Sequence, residues 1–403
     1  MNILIICQHF YPEQFQLNDI APALVCRGHN VTVLTGLPNY PKGVIFEGYE
    51  DESNRRLLDR EYEAQYGVHI VRCKMRPRKK GVKNLMLNYL SFAYNARKEV
   101  TELDGNYDVV LSYQLSPITM VLPAITYKKR CGKPLLLYCL DIWPESAKAH
   151  IRKPFNLLYS FIKALSKWVY NQCDRVLVTS RPFIEYLNDQ NKVPLSKLAY
   201  LPQHSDSSMI EMDLTAESNG VADFMFAGNL GAGQNLTTII DAATILGPRP
   251  DYKVHFVGDG SQREMLEQMV KERNLQDNII FHGNQKRSDM PSFYKQADVL
   301  LITLRGNNFV GNTMPGKLQM YMTTGKPILG AINGAANEVI TESKCGQCVP
   351  ACDHEGLARL MLDYIEHPES YVKCGYNARK YFMEHFTQDI YIDALEKELF
   401  NLI

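Results

Sequence analysis

The sequence predicts an α/β protein made of two doubly wound halves, each a parallel sheet with helices on both faces. Short, wholly apolar runs such as Ile3–Cys7 and Leu135–Leu140 are the kind of strand that a parallel sheet buries on both sides. They alternate with stretches of helical spacing through both halves, as repeated strand–helix–strand units do. The alternation breaks once, at the polar, aperiodic stretch LPQHSDSSMIEMDLTAESNG from Leu201 to Gly220, which reads as an interdomain linker. The expected domains are therefore 1–203 and 204–385, with a closing helix over about 386–403 that packs back on the first.

Ile3–Cys7 opens the first sheet. Asn18–Arg27 (NDIAPALVCR) has helical spacing, and Gly28 ends it because glycine accepts the left-handed turn at a helix C-terminus. Val31–Thr35 is the second strand, followed by the loop GLPNYPKG and a hairpin region around Arg55–Cys73. Leu85–Leu103 is a long helix, Val109–Ser112 a strand, Ile118–Arg130 a helix and Leu135–Leu140 a strand. Phe155–Asn171 is a helix and Arg175–Thr179 a strand.

In the second half, Asp223–Ala227, Lys253–Val257, Ile279–His282, Val299–Thr303 and Pro327–Gly330 are strands. Asn235–Leu246, Gln262–Arg273, Met290–Gln296 and Lys317–Thr323 are the helices between them. GQCVPACDHEGLARLM reads as a strand, a turn and a helix capped by Asp353, and the last 25 or so residues are helical. Two such halves joined by a linker imply a cleft between domains.

Composition narrows the class. Of 403 residues, 45% are apolar and 22% charged, which excludes a disordered tail, a collagen and a small disulfide scaffold. Lys+Arg and Asp+Glu are 44 each. Residues 1–200 hold 27 basic and 18 acidic residues, leaving 17 and 26 for the rest. A basic front and an acidic back point to different partners, while the neutral whole argues against nucleic acid.

MNILIICQHFYP has neither a basic leader nor a cleavage site and reads as a buried strand. The one long uncharged run, Val109–Tyr127, carries two prolines and a glutamine, unlike a spanning helix. The expectation is a cytoplasmic chain whose ten cysteines are free thiols. Cys345, Cys348 and Cys352 with His354 superficially resemble metal ligands. No second CxxC completes a tetrahedral set, so no metal is expected.

Ligands of doubly wound sheets bind outside the carboxyl ends of the strands, so the residues just after each strand are the candidates. Gly228-Asn229-Leu230-Gly231-Ala232-Gly233-Gln234 follows one strand and opens a helix. Glycines admit close approach and helix N-termini attract anions; a plain tight turn is the alternative. No GxGxxG follows the first strand, against a dinucleotide site. Thr313-Met314-Pro315-Gly316-Lys317 opens another helix. A lysine there opposes the helix dipole, a conflict that a bound phosphate removes. Arg305, after a strand, is placed to converge on the same anion or to be a solvated arginine. Asp141-Ile142-Trp143-Pro144-Glu145 follows the strand PLLLYCL, and His9 follows the first strand; both suit a polar ligand site, or a turn cap and a satisfied structural histidine. Arg76–Lys83 (RPRKKGVK) leads into an apolar helix, a pattern that attracts anionic lipid headgroups or is a solvated loop.

Together these segments resemble the family 4 retaining glycosyltransferases, which have the GT-B architecture of two facing Rossmann-like domains. The resemblance covers essentially the whole chain. It rests on FYPEQFQLNDIAPALVCRGHNVTVLTGLPNYPKG, DIWPES, FAGNLGAGQNL, VGDGSQREML, MPGKLQMYMTTGKPILGAINGAANEVI and CGQCVPACDHEGLA, in that order and spacing. The nearest pattern is the bacterial subgroup that builds O antigens and capsules, including transferases of N-acetyl-L-fucosamine type sugars.

The resemblance implies a nucleotide-sugar donor, a UDP-sugar, on the second domain. Its acceptor, a polyprenyl-diphosphate-linked saccharide, sits on the first. The diphosphate lies against Gly231–Gln234 and Lys317, with Arg305 assisting. The sugar meets the amides of Thr313–Lys317, and the base stacks near Gly258 and touches the backbone at Gln285. Asp141 and His9 face the reacting centre. The implied reaction needs no cofactor and no metal, and the protein makes a peripheral contact with the inner membrane leaflet. Two family positions, an arginine and a lysine of the first loop, hold Asn229 and Gln234 instead. The paired glutamates fall on Asn312 and Met320, so Glu338 in NGAANEVI is a candidate replacement carboxylate. A nonhydrolysing UDP-sugar 2-epimerase and a nonenzymatic nucleotide-sugar-binding subunit are the alternatives.

Overall fold

A computed structural model describes residues 1–146, 157–217, 219–306 and 313–403. The chain divides into two compact units, Met1–Leu201 with Ile392–Ile403, and Pro202–Tyr391.

The first unit is built on β1 (Asn2–Ile6), β2 (Asn30–Thr35), β3 (Val68–Arg72), β4 (Val109–Gln114), β5 (Leu135–Cys139), β6 (Arg175–Val178) and β7 (Leu198–Tyr200). All neighbours are parallel, in the order β3-β2-β1-β4-β5-β6-β7. Chain direction across the sheet reverses between β1 and β4, so the loops that leave these two strands diverge and open a crevice at the carboxyl edge. Residues from Ile392 onward are held on this unit by Arg175–Glu398 (2.6 Å) and His29–Glu396 (2.6 Å) over buried Leu395 and Leu399.

The second unit carries β8 (Ala222–Ala227), β9 (Tyr252–Val257), β10 (Ile279–Gly283), β11 (Val299–Thr303), β12 (Ile328–Ala331) and β13 (Gly346–Val349). Their order is β10-β9-β8-β11-β12-β13, and the reversal falls between β8 and β11. Side chains alternate across a strand. Phe224 and Phe226 of β8 enter one core with Phe256 and Leu301, while Met225 and Ala227 enter the other with Leu300 and Tyr321.

Several expectations need correction. Arg55–Cys73 is not a hairpin but the helix Glu52–Tyr66 followed by β3, which is parallel to β2. Asp51 starts that helix by accepting from Asn54 N (2.9 Å), and Gly67 ends it at φ +69°. The helix Arg181–Asn191, strand β7 and the helix Gly334–Ser343 were not expected. The stretch 201–220, expected as the interdomain linker, begins where the two units divide, but from Pro202 it belongs to the second unit: Met209 and Leu214 sit in that unit's core, and Gln319 Nε2 donates to Gln203 O. Its aperiodicity reflects irregular backbone pinned by a few apolar anchors. The C-terminal helical region is two helices, Val372–His385 and Gln388–Phe400. Asp353 caps His354–Glu366 through Gly356 N (2.8 Å), as its spacing predicts.

All ten cysteines are free. Among the described residues no three His, Cys, Asp or Glu side chains are grouped to hold a metal ion. No helix among them is long and apolar enough to cross a membrane.

Candidate functional site

In the second unit the ends of β8, β9 and β10 meet at a hollow of about 550 Å³ lined by Gly228, Asn229, Gly258, Asp259 and Gln285 and closed by Met290 and Tyr294. That is the size of a small-molecule site. Glycine is required at two places in its wall. A Cβ on Gly258, at φ +133°, would lie 2.0 Å from the Gly228 carbonyl oxygen. A Cβ on Gly228, at φ +143°, would lie 3.1 Å from Lys317 Nζ. Gly228 N donates to Val257 O and Gly258 N to Gly283 O, both at 2.8 Å, which knits the three strand ends together. Asn229 folds its side chain over Gly231 and Gly260.

Lys317 stands beside this hollow. It is the second residue of the helix Gly316–Thr324, whose N-cap Pro315 has no capping side chain, so the first-turn amides and the dipole favour an anion. Lys317 Nζ donates to Gln234 Oε1 (2.6 Å) and lies 3.7 Å over the Phe226 ring. Burial pushes its ammonium down to about 7. The ring face and the amide oxygen favour the charged form, so ammonium and amine share the neutral range. Gln234, the departure from the family lysine, is thus the residue that orients Lys317. Neither Gln234 nor Phe226 was expected as its partner: they lie 83 and 91 positions away in sequence, and no local pattern pairs them.

Other expected residues fall elsewhere. Arg305 N donates to Gly233 O (3.1 Å), bracing the glycine turn. Its side chain is exposed and lines a small hollow with Gly231, Gln262 and Met265. Glu338 lies on the helix Gly334–Ser343 rather than in a loop, and its side chain is exposed. Met320 packs half-buried against the core, as does Met314. Gln285 lines the hollow, and its Nε2 donates to His282 O (2.6 Å). Thr313 lies two residues before Pro315, and Gly316 follows it as the first residue of the helix. Asn312 lies outside the described residues.

The first unit gathers polar groups at the carboxyl edge of its sheet. Asp141, after β5, accepts from Ser116 Oγ (2.6 Å), and Trp143 Nε1 donates to that same oxygen (3.2 Å). Gln114 Nε2 holds the Asp141 carbonyl (2.9 Å). Burial raises the Asp141 carboxyl above the usual range, partly offset by the Ser116 hydrogen bond. His9, after β1, is buried, with Nδ1 2.9 Å from Glu13 Oε2. Glu13 Oε1 accepts the amides of Asn39 and Tyr40 (2.6 Å each), and the His9 ring stacks on Phe15. A carboxylate only accepts, so His9 Nδ1 carries the hydrogen of this bond. Glu13 was missed, although its i+4 spacing from His9 was visible; Ser116 was missed because its partner is 25 residues on.

Two family models match the chain, "Glycosyltransferase Family 4" over residues 16–204 and "Glycosyl transferases group 1" over 214–381. A probable glycosyltransferase, WbjE, of Pseudomonas aeruginosa is 26% identical over 276 residues, covering 64% of this chain and just under two thirds (66%) of that protein. O-antigen chain mannosyltransferase C of Escherichia coli is 22% identical over 308 residues, covering 75% of this chain and 78% of that one. In structure, Anabaena HepE, solved in complex with UDP, matches with a TM-score of 0.71 at 17% identity over 100% of both chains.

Proposed function

We propose that this chain, matched by glycosyltransferase family models over residues 16–204 and 214–381, is a family 4 glycosyltransferase that moves a sugar, with retention, from a UDP-sugar to a lipid-linked saccharide at the inner face of the cytoplasmic membrane, in building a cell-surface polysaccharide. The donor sugar in this reading is an N-acetylated amino-deoxyhexose such as N-acetyl-L-fucosamine. The observation that carries it is Lys317: a largely buried cation at a helix N-terminus, beside a glycine-walled hollow, with burial as the cause of its shift and no carboxylate paired to it among the described residues. A diphosphate supplies the matching charge. The UDP bound by the HepE structure and the O-antigen role of the Escherichia coli relative support the donor and the pathway class.

In this mechanism the bond from the sugar's anomeric carbon to the diphosphate oxygen breaks while the acceptor hydroxyl attacks from the same face. Its proton passes to the departing phosphate. Lys317 and the first-turn amides of Gly316–Thr324 are aimed at the charge that grows on the leaving group, which is where preorganised donors act most strongly. No metal ion is called on. The hollow beside Gly258 and Gln285 takes the uridine. On the first unit, Asp141 and His9 orient the acceptor.

The test is calorimetric titration of the protein with UDP, followed by transfer assays with a panel of UDP-sugars and a lipid-linked acceptor. Transfer with retained anomeric configuration is expected. Failure to bind any nucleoside diphosphate ends the proposal, C2 isomerisation without acceptor makes the protein an epimerase, and binding without turnover makes it a carrier. Asp141→Asn is expected to lower kcat about a hundredfold with UDP affinity unchanged; full activity in that variant removes Asp141 from the reaction.

A further inference from the structure

We infer that the second unit carries a second ligand site, at the edge of its sheet opposite the glycine-walled hollow, which takes a small hydroxylated anion of the sugar-phosphate class. Asp298 immediately precedes β11, and Lys326 and Pro327 precede β12. These strands are parallel, so the three residues stand at the amino edge. Ligands of doubly wound sheets ordinarily use the carboxyl edge. A hollow of about 250 Å³ nevertheless opens at the amino edge, and its wall includes Asp298, Lys326, Tyr364, Tyr371 and Arg379. It has less than half the volume of the glycine-walled hollow, which suits one sugar ring with its phosphate rather than a nucleotide sugar.

The wall is held from several sides. The helix Val372–His385 lies close against the turn that follows Gly316–Thr324, because Gly375 has no Cβ to strike Gly325 O. Arg379 of that helix fastens the same turn, donating from Nε to Thr323 O (3.2 Å) and from Nη2 to Thr324 O (3.2 Å) and Met212 O (2.9 Å). Tyr371 is fixed by donating its hydroxyl to Asp363 (2.7 Å) and accepting from Gln347 Nε2 (3.1 Å). Leu214, anchored in the core, closes another side. Asp298 Oδ2 accepts from Asp223 N (2.9 Å). The groups left over on this wall are Lys326 Nζ, Arg379 Nη1, Asp298 Oδ1 and the Tyr364 hydroxyl, none of which bonds a described residue.

Lys326 selects the ligand's charge. Only 6% of it is exposed, and a buried ammonium without an acceptor is costly. Burial lowers it to about 8 although the Asp298 and Asp213 carboxylates pull the other way, so they do not compensate its charge. Asp213 is not on the wall and accepts instead from Thr215 N (3.0 Å). Arg379 faces Lys326 with like charge. An anion between the two cations removes that repulsion and gives Lys326 its acceptor. A bare anion also meets the Asp298 carboxylate. A ligand with hydroxyls beside its anionic group resolves both: the anion goes to Lys326 and Arg379, and a hydroxyl donates to Asp298 Oδ1. The Tyr364 and Tyr371 rings, 5.2 Å apart, supply the aromatic surface against which a sugar ring packs. A zwitterion fits worse, because its ammonium adds a third cation. The site does not depend on the proposed reaction.

The test is calorimetric titration of the full chain with glucose 6-phosphate, inorganic phosphate and glucose as probes, each with and without saturating UDP. Glucose 6-phosphate is expected to bind, and to bind equally well when UDP is present. Inorganic phosphate and glucose are each expected to bind at least about tenfold more weakly, since each lacks one set of hydrogen bonds. Lys326→Met is expected to weaken glucose 6-phosphate at least about tenfold, the effect of one charge-assisted hydrogen bond, while its thermal midpoint rises because a buried unpaired cation is gone. Asp298→Asn keeps an acceptor for Asp223 N but loses the carboxylate, so the preference for glucose 6-phosphate over inorganic phosphate should narrow. No binding of glucose 6-phosphate, competition by UDP, or full affinity in Lys326→Met overturns the inference. So does equal affinity for inorganic phosphate or for glucose, or an unchanged preference in Asp298→Asn. A chain that binds glucose 6-phosphate through Lys326 but binds no nucleoside diphosphate keeps this site and ends the proposed reaction; UDP binding without sugar-phosphate binding does the reverse.

Discussion

Lys317→Gln is expected to lower turnover with the UDP-sugar donor by about 10²–10³, the usual cost of removing one preorganised donor from a developing anion. Neutral glutamine keeps a hydrogen-bonding head near Gln234 and the Phe226 ring but supplies no charge to the diphosphate. The variant should also bind UDP more weakly. The pH dependence separates charge from shape. The Lys317 ammonium is lowered to about 7 in the free protein from an ordinary value of 10.5. A diphosphate raises it again, so binding above pH 7 takes up a proton and affinity falls as pH rises. Calorimetry in two buffers of different ionisation enthalpy reads that uptake directly, and Lys317→Gln should abolish it.

The same shift has a stability consequence with a definite sign. Between about pH 7 and 10.5 the unfolded chain holds a proton on Lys317 that the folded chain has released. The unfolded state then binds more protons, so this residue's contribution to stability rises with pH across that window. Below pH 7 both states carry the proton, and the folded state bears the full desolvation penalty. If turnover and proton uptake match in Lys317→Gln and the parent, the diphosphate does not sit on this lysine.

Gly258→Ala is expected to destabilise the second unit by about 2–4 kcal/mol, as overpacking and a strained backbone each cost about 1–3 kcal/mol. Its Cβ would be placed 2.0 Å from the Gly228 carbonyl oxygen at a φ of +133°. No rotamer relieves the contact, since both atoms belong to or adjoin the backbone. The ends of β8 and β9 must part, breaking Gly228 N to Val257 O or Gly258 N to Gly283 O and widening the hollow, so UDP binding should fall with stability. Gly233→Ala is the comparison: nothing lies within 4 Å of its Cβ position and its φ is not positive, so it should unfold like the parent. Urea midpoints of the three proteins check this, and a Gly258→Ala curve that overlays the parent refutes the close approach.

The local features that were legible share a short range. Strand β11 and the helix Met290–Gln296 have the bounds their sequence signals indicate, because apolar runs and turn residues act within one element. The helix Glu52–Tyr66 was read as a hairpin although DES and YG mark its two ends; its mean hydropathy is low and only Tyr62 is buried, so there was almost no apolar stripe to reveal the period. Leu201–Gly220 was misjudged for a related reason: its anchors, Met209 and Leu214, are too few to show a pattern. Glu338 reads as a loop residue although it lies on the helix Gly334–Ser343, because the small residues of NGAANEVI leave little apolar stripe to mark a helix.

By itself the sequence determined the alternation of elements, the places where strands end in glycine or helix starts, and hence which loops can hold a ligand. Apolar periodicity and backbone preference are properties of neighbours along the chain, and they suffice for that. Only the tertiary structure decided that Gln234 and Phe226 hold Lys317, that Gly258 touches Gly228, and that Ser116 bonds Asp141. Those pairings depend on which strands lie side by side, and sheet order is set by the burial of the whole unit rather than by any segment of it.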